Sequence, residues 1–269
     1  MRARTEATVF RGSSILLAMG IAVGVGAIDA PPGAASGQSA VKEPMNLGVV
    51  KQQVRDYYGQ TTAPDGTLVP STTSAYGRDV QRIERLAEAQ LRHVPKEGGK
   101  PAIVLDVDDT SLSTYSYLAS HDFALVLADI NPVLAQGKQP AVFGMQELAL
   151  ALSRDGYAVF WITGRNATLK AATVQNLAAA GYPAPTPVSA TEDGVYTAPA
   201  PGGAYPSYVN CAADGNPACS TTEYKSGTRA HIQQQGFHIV ANFGDQESDL
   251  RGGYADHTYK LPNPMYLLP

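Results

Sequence analysis

The chain has 269 residues, of which 44% are hydrophobic and 16% charged, a composition typical of a globular protein with a sizeable core in one large domain or two small ones. Its formal net charge of −4 argues against nucleic acid polymers and anionic membranes as electrostatic partners. No uninterrupted run of about eighteen apolar residues occurs after residue 40, so the sequence predicts no internal membrane span.

Residues 1–40 have the pattern of a secretory signal peptide and its processing region. Basic residues open the segment, an apolar stretch rich in small residues follows over 15–28, and Ala34-Ala35 and Ser39-Ala40 offer small residues for cleavage. The alternative is a membrane anchor, although the apolar stretch is short for a span. We therefore expect a secreted, extracellular or periplasmic protein. Its mature part, residues 41–269, is predicted to form a single domain with no stable membrane association.

Residues 41–98 are predicted to be the N-terminal helical part of this domain. Two segments carry apolar residues at helical spacing: Val49, Val50, Val54 and Tyr57 in the first, and Val80, Ile83, Leu86, Leu91 and Val94 in the second. These helices either pack against a sheet or form a wall of a substrate cleft.

Strand and helix patterns alternate over 100–269, as is typical of a parallel sheet covered on both faces. Apolar runs predict strands at 102–106, 157–162, 237–243 and 257–261, a short run at 187–189 hints at another, and helical patterns cover 143–155 and 166–180. The predicted fold class is α/β. It is a Rossmann-like three-layer sandwich with a central parallel sheet, N-terminal helices and a small insertion after the first strand.

The insertion, residues 111–141, is rich in aromatic side chains. Tyr115, Tyr117 and Phe123 lie in it and Phe143 follows it. These rings either stack on an aromatic substrate or fill the core, and His121 is a candidate substrate contact. The insertion is too short for a large separate cap, so we expect an open cleft.

Residues 182–219 are predicted to be loop-like and contain both cysteines. Cys211 and Cys219 flank a turn-rich segment of an apparently exported chain, which favours a local disulfide over two unpaired thiols. Ser220 and Glu223 then have the spacing of a capping box, which predicts a helix from Thr221 that carries Lys225.

Polar side chains follow three of the predicted strands. Asp106 and Asp108 come at the end of the first, Thr163 follows the second, and Asp245 follows the run at 237–243. Because parallel strands end at one edge of the sheet, these residues are expected to meet there. Crowded carboxylates repel each other unless a cation lies between them, and Mg²⁺ prefers such oxygen ligands.

The order of these motifs resembles that of the haloacid dehalogenase (HAD) superfamily. Asp106-Val107-Asp108-Asp109-Thr110 is followed by Thr163-Gly164-Arg165, by Lys225 on a helix, and by Gly244-Asp245 with Asp249 four residues on. The segments 242–250 and 260–266 look specifically like the acid phosphatase subfamily IIIB, which includes secreted acid phosphatases and plant vegetative storage proteins. The resemblance covers about residues 45–269 and implies a phosphomonoesterase.

The acidic residues have distinct expected roles. Asp106 would attack phosphorus and form an aspartyl-phosphate. Asp108 would protonate the leaving alcohol and later accept a proton from water. Mg²⁺ would bind Asp106, Asp245 and the main-chain carbonyl of Asp108, while Asp249 would hold a metal-bound water or orient the site.

Three further residues are expected to bind the phosphate. Thr163 and Lys225 would contact its oxygens, and Gly164 would let main-chain amides and the start of the following helix approach it. Arg229, four residues after Lys225, is the alternative cation. Asp109 is expected to cap a helix or to face solvent.

We therefore predict a Mg²⁺-dependent acid phosphatase that hydrolyses small phosphomonoesters with broad specificity through an aspartyl-phosphate. The alternatives are a phosphotransferase that passes the same intermediate to an alcohol, and a non-catalytic storage or binding protein of the same fold. Storage relatives can lose the nucleophile, so the presence of Asp106 favours an enzyme.

Overall fold

A five-stranded sheet organises the part of the chain that the computed structural model describes, residues 43–92, 98–212 and 218–268. The strands are β1 (Thr61–Thr62), β2 (Leu68–Val69), β3 (Lys100–Leu105), β4 (Ala158–Asn166), β5 (Val195–Ala198), β6 (Phe237–Gly244) and β7 (His257–Lys260). The large sheet has the order β5-β4-β3-β6-β7, and all its pairs are parallel. Strands β1 and β2 form a separate antiparallel pair.

Eight α-helices connect or cover these strands in the described ranges. They are α1 (Leu47–Tyr58), α2 (Ala75–Leu91), α3 (Tyr115–Ser120), α4 (Leu127–Leu134), α5 (Met145–Arg154), α6 (Lys170–Ala179), α7 (Thr221–Gln234) and α8 (Glu247–Leu250). The predicted helix at Thr221 is confirmed, because Ser220 and Glu223 form the capping box. The α/β class with a central parallel sheet is also confirmed.

Each face of the sheet is covered by its own apolar cluster. Along β3, Ile103 and Leu105 join one cluster, whereas Ala102 and Val104 join the other, because successive strand side chains point to opposite faces. Both faces are therefore buried, as a parallel sheet between two helical layers requires.

The N-terminal helices pack into the first of these clusters. Val54 and Tyr58 of α1 and Val80 and Leu91 of α2 are buried there, so the packing alternative is the one observed. Leu86 is 51% exposed, contrary to the predicted stripe. Successive helix residues are rotated by about 100°, so Leu86 lies about 120° around the helix from the buried Val80. Ala87, the next residue, faces the core instead. Val94 and residues 1–40 lie outside the described residues.

The predicted strand at 187–189 is wrong. Val188 instead donates its N–H to the carbonyl of Glu192 in a turn, and the fifth strand of the sheet is β5, which pairs with β4 from Trp161 opposite Val195. With only four residues at the sheet edge, β5 offers too short an apolar run for a pattern search to detect. Of the helices in the described ranges, none combines the length and apolar character needed to span a membrane.

The carboxyl group of Glu84 provides a test of stability against pH. It lies against Gly144, where a Cβ would clash with it, and its Oε1 is buried with no hydrogen-bond partner among the described residues. Burial, followed by the charges of Glu147 and Glu88, raises the pKa of Glu84 from 4.5 to about 7. A raised carboxyl pKa means that folding binds the proton more tightly, so stability falls as pH rises from 4.5 towards 7.

We therefore expect Glu84→Gln to be more stable than the wild type at pH 8, where the wild type buries a charge, and equally stable at pH 4. The difference should be about 1 kcal/mol, after allowing for the partial exposure of the group. Thermal unfolding at the two pH values measures it. A stability difference of the same size at both pH values would contradict this origin.

Candidate active site

The carboxyl edge of the sheet brings the predicted site residues together. β3 lies between β4 and β6, with Leu105 opposite both Trp161 and Phe243, and the N–H of Asp106 donates to the carbonyl of Phe243 at 2.9 Å. Asp106 and Asp245 therefore follow β3 and β6, and Thr163 lies near the carboxyl end of the neighbouring strand β4. All three line one cavity of about 280 Å³.

Three carboxylates form an acidic cluster in this cavity. Asp106, Asp245 and Asp249 each offer one oxygen, and these oxygens lie within 4.8 Å of one another. All three residues are buried. Burial raises the pKa of Asp106 well above its usual value, with Lys225 offsetting part of the rise. Burial and the charges of Asp249 and Asp109 raise the pKa of Asp245 to about 7. Burial and mutual repulsion make these charged carboxylates costly without a cation, and their oxygen donors suit a hard divalent cation.

Lys225 contributes one positive charge to this cluster. Its Nζ donates to Oδ1 of Asp106 and, at 2.6 Å, to Oδ1 of Asp249. Burial lowers the pKa of Lys225, but the two carboxylates outweigh burial, and the pKa ends above its ordinary value. The alternative cation, Arg229, donates instead to the main-chain carbonyls of Asp249 and Gly253. Arg229 therefore supports the chain around α8, while Lys225 faces the cavity.

The carboxylate of Asp108 lies outside the acidic cluster. It accepts hydrogen bonds from Nε of Arg165 at 2.9 and 3.2 Å and from Nη2 at 2.6 Å, and Thr173 accepts from Nη1. The predicted metal contact of Asp108 thus rests on its main-chain carbonyl alone. The fork of Arg165 holds the carboxylate in one plane at the cavity wall, since bidentate pairs fix geometry as well as charge. Sequence reasoning included Arg165 in a motif but assigned it no role.

The backbone of β4 is irregular after Ile162. The register between β4 and β5 shifts between Thr163 and Asn166, and such irregularities often re-aim side chains beside active sites. Thr163 is fully buried, whereas a Cβ at Gly164 would meet open space. Asn166 caps a 3₁₀ turn over Ala167–Leu169, so the α-helix itself begins four residues later than predicted, at Lys170.

The expectation that Asp109 caps a helix or faces solvent is wrong. Asp109 is 2% exposed, has a positive φ of 53°, and accepts hydrogen bonds from the N–H of Thr114 and the hydroxyl of Tyr266, both at 2.9 Å. Burial raises its pKa to about 6. Asp109 therefore ties the insertion and the C-terminal segment, residues 261–268, to the end of β3.

The C-terminal segment also forms a hydrogen bond with Asp245 of the acidic cluster. Oδ2 of Asp245 accepts from Nδ2 of Asn263 at 2.7 Å and from Nε2 of Gln246 at 2.6 Å, and Oδ1 accepts from Thr110. Leu268 in turn donates its N–H to the side chain of Gln246. Sequence reasoning missed Asn263, Gln246 and Thr110, although Asn263 lies within the tail on which the family resemblance rests.

The aromatic residues of the insertion belong to the core. Tyr115 is fully buried, its ring packs on Tyr58 at 4.4 Å, and Phe123 and Phe143 pack against the same cluster. The predicted substrate contact His121 stacks on Tyr117 instead, and neither residue is among those that line the cavity. The core-filling alternative is therefore the one observed.

Cys211 and Cys219 form the predicted disulfide. Cys219 precedes Ser220, the N-cap of α7, and both cysteines pack against the second apolar cluster. The bridge therefore anchors the loop from which the helix of Lys225 begins.

Reducing this bridge is expected to weaken phosphate binding more than it weakens the fold. The loop is short, so the stability lost should be below about 3 kcal/mol, while the start of α7 loses its anchor. The inhibition constant of inorganic phosphate, measured with and without reductant, should rise severalfold, while the melting temperature falls by only a few degrees, which is what about 1 kcal/mol does in a domain of this size. Cys211→Ser/Cys219→Ser should behave like the reduced protein. An unchanged inhibition constant in both cases would contradict the coupling.

The chain is similar to acid phosphatases in sequence and in fold. The family model described as HAD superfamily, subfamily IIIB (Acid phosphatase) matches residues 34–269. Acid phosphatase 1 of Solanum lycopersicum is 29% identical over 198 residues, which cover 72% of this chain and 69% of the relative. The Stem 28 kDa glycoprotein of Glycine max is 29% identical over 226 residues, covering 80% of each. The solved class C acid phosphatase of Bacillus anthracis has the same fold. It superposes with a TM-score of 0.55 at 18% identity, over 81% of this chain and 86% of that one.

Proposed function

The chain belongs to the acid phosphatases of HAD subfamily IIIB, and on that premise we propose that it is a secreted, Mg²⁺-dependent phosphomonoesterase that works through an aspartyl-phosphate on Asp106. The observation that carries the proposal is the buried cluster of Asp106, Asp245 and Asp249 around Lys225 at the carboxyl edge of the sheet. Secretion is supported by the signal-like residues 1–40 and by the disulfide. Residues 41–269 act as one domain.

The first chemical step uses Asp106 and Asp108. A carboxylate oxygen of Asp106 attacks phosphorus in line with the leaving oxygen, the P–O bond to the alcohol breaks, and Asp108 gives its proton to the departing oxygen. Lys225 and Thr163 bind the phosphoryl oxygens, and the backbone at Gly164 lets the phosphate approach. These roles are supported by the place of the three residues in the cavity lining and by the open space beside Gly164. Bound Mg²⁺, held by Asp106, Asp245 and the carbonyl of Asp108 with support from Asp249, supplies positive charge that offsets the charge of the phosphate.

The second step restores the enzyme. Asp108, now ionised, takes a proton from a water molecule, the water oxygen bonds to phosphorus, and the P–O bond to Asp106 breaks. Inorganic phosphate leaves and Asp106 is again a carboxylate. Arg165 is a positioning residue here, because it holds the ionised carboxylate of Asp108, the form that accepts this proton, at the cavity wall.

A panel of small phosphomonoesters tests the proposed activity. Phosphate release from structurally different esters, dependent on Mg²⁺, is the expected result. A parallel assay with glycerol measures whether the aspartyl-phosphate is also transferred to an alcohol, since that would give a new phosphoester. No phosphate release from any ester by the folded, Mg²⁺-supplied protein would overturn the proposal.

Esters with different leaving groups test whether Asp108 acts as the general acid. Asp108→Asn should lower kcat/KM on an alkyl phosphate by at least about 10²-fold, the usual contribution of general acid catalysis. The fall should be much smaller on 4-nitrophenyl phosphate, because nitrophenolate leaves without protonation. Steady-state kcat/KM on both esters measures the difference, because kcat/KM reports formation of the aspartyl-phosphate and not its hydrolysis, which both esters share. An equal loss of kcat/KM on both would show that Asp108 does not protonate the leaving group.

A further inference from the structure

One wall of the active-site cavity is aliphatic. Beyond the phosphate end, it is lined by Leu125, Leu127, Ile130 and Leu134 from α4 and the segment before it, and by Leu268 from the C-terminal segment. Leu127 is 64% and Leu268 is 40% exposed. Large apolar side chains that face water at the mouth of a cavity gain free energy when an apolar ligand covers them.

The inner part of this wall is packed in place. Ile130 and Leu134 are buried and form a cluster with Leu169, against which Tyr117 and Leu125 also pack. The wall is therefore part of the folded insertion, and its shape exists before a substrate binds. A preformed apolar surface beside a few polar groups is the usual construction of a small-molecule site.

The charges in the cavity point to the same type of ligand. Among the described residues that line it, the cationic side chains are Lys225 and Arg165. Lys225 is paired with Asp106 and Asp249, and Arg165 with Asp108. The remaining polar side chains near the mouth, including Asn131 and Thr221, are uncharged. No cation is thus left in this lining to bind a second phosphate or a carboxylate of the substrate.

We propose that the aliphatic wall is a leaving-group subsite, and that it selects monophosphate esters of uncharged apolar alcohols over esters that carry a second anionic group. The inference rests on the proposed phosphatase function and adds the substrate class to it. The alkyl part of the substrate lies along Leu127 and Ile130 while its phosphate lies at the acidic cluster. Its alcohol product leaves through the mouth between α4 and the C-terminal segment.

A homologous series of n-alkyl phosphates tests this subsite. From ethyl to hexyl phosphate, kcat/KM should rise about threefold for each methylene that the wall covers. A hexyl phosphate with a terminal carboxylate should be at least about tenfold worse than hexyl phosphate itself. A flat series, or no penalty for the carboxylate, would overturn the subsite while 4-nitrophenyl phosphate hydrolysis still supports the phosphatase. Absence of hydrolysis of every ester would overturn both.

Two neighbouring substitutions identify the wall. Leu127→Ser removes a lining side chain, whereas Val126→Ser removes an apolar side chain of similar exposure, 47%, that does not line the cavity. We expect the ratio of kcat/KM for hexyl to ethyl phosphate to fall about fivefold in Leu127→Ser and to stay at the wild-type value in Val126→Ser. Both side chains lie at the surface, so the fold should survive either change. An unchanged ratio in Leu127→Ser, or an equal fall in both variants, would overturn the proposal.

Discussion

Replacing Asp106 by asparagine should lower kcat/KM for an aryl phosphate by at least about 10³-fold, equivalent to about 4 kcal/mol of transition-state stabilisation. The amide keeps the size of the side chain but removes the attacking negative charge. The fold should survive, because Lys225 keeps Asp249 as its partner at 2.6 Å and one of three mutually repelling carboxylates is lost. Steady-state kinetics and thermal unfolding of the same preparation measure the two effects.

Asp56→Asn is the matched control for this substitution. It makes the same chemical change on an exposed position of α1 that is not among the residues lining the cavity, and its activity should equal that of the wild type. Mass spectrometry of the peptide containing residue 106 must show that the asparagine has not deamidated. If the verified Asp106→Asn protein retained activity within about tenfold of wild type, another group would have to be the nucleophile.

Removal of the metal is expected to abolish activity reversibly. A chelator should reduce phosphate release to background, and added Mg²⁺ should restore it, because without the cation the buried carboxylates repel the phosphate. Mg²⁺ at about 100 times its dissociation constant should also stabilise the folded protein by about 2.7 kcal/mol, which raises the melting temperature by about 5–10 °C. The thermal shift is independent of catalysis and therefore reports on the binding site itself.

Two substitutions distinguish the contributions of Asp245 and Asp249 to metal binding. Asp245→Ala should raise the Mg²⁺ concentration needed for half-maximal activity by at least about 10²-fold and remove the thermal shift, because it deletes a ligand that three neutral donors hold in orientation. Asp249→Ala should raise the requirement less, because a carboxylate that holds the metal through a water molecule can be partly replaced by solvent. Full activity of thoroughly chelated wild-type protein would mean that the acidic cluster is not a cation site.

The elements that could be predicted are those whose signal is local. The apolar runs of β3, β4 and β6 and the capping box at Ser220 lie within a few residues of the structure that they specify, and all were found. The meeting of Asp106, Thr163 and Asp245 could be predicted from these strands, because a parallel sheet aligns the ends of its strands. The short edge strand β5 was misplaced, since its pairing with β4 contributes more to its formation than its own four residues do.

The pairs that complete the site join residues far apart in the chain. Arg165 binds Asp108 from 57 positions away and Tyr266 binds Asp109 from 157 positions away. Asn263 binds Asp245 from 18 positions away, with α8 and β7 between them. None of these contacts has a sequence pattern of its own. These pairs form when the chain folds. A carboxylate that is removed from water needs a hydrogen-bond donor, and a distant part of the chain can supply it.

The sequence by itself determined the parallel sheet, the order of its chemical motifs and the disulfide, because short-range periodicity and spacing encode them. The resemblance of these motifs and of the tail to a known family then indicated an acid phosphatase. Only the tertiary structure decided where the ambiguous side chains lie. It packed the aromatic rings of the insertion against the core and placed Leu127 and Leu268 at the mouth of the cavity. A ring or an aliphatic side chain has the same hydrophobicity in either place, so its position depends on how the insertion packs against α1, α2 and the C-terminal segment, which no local pattern records.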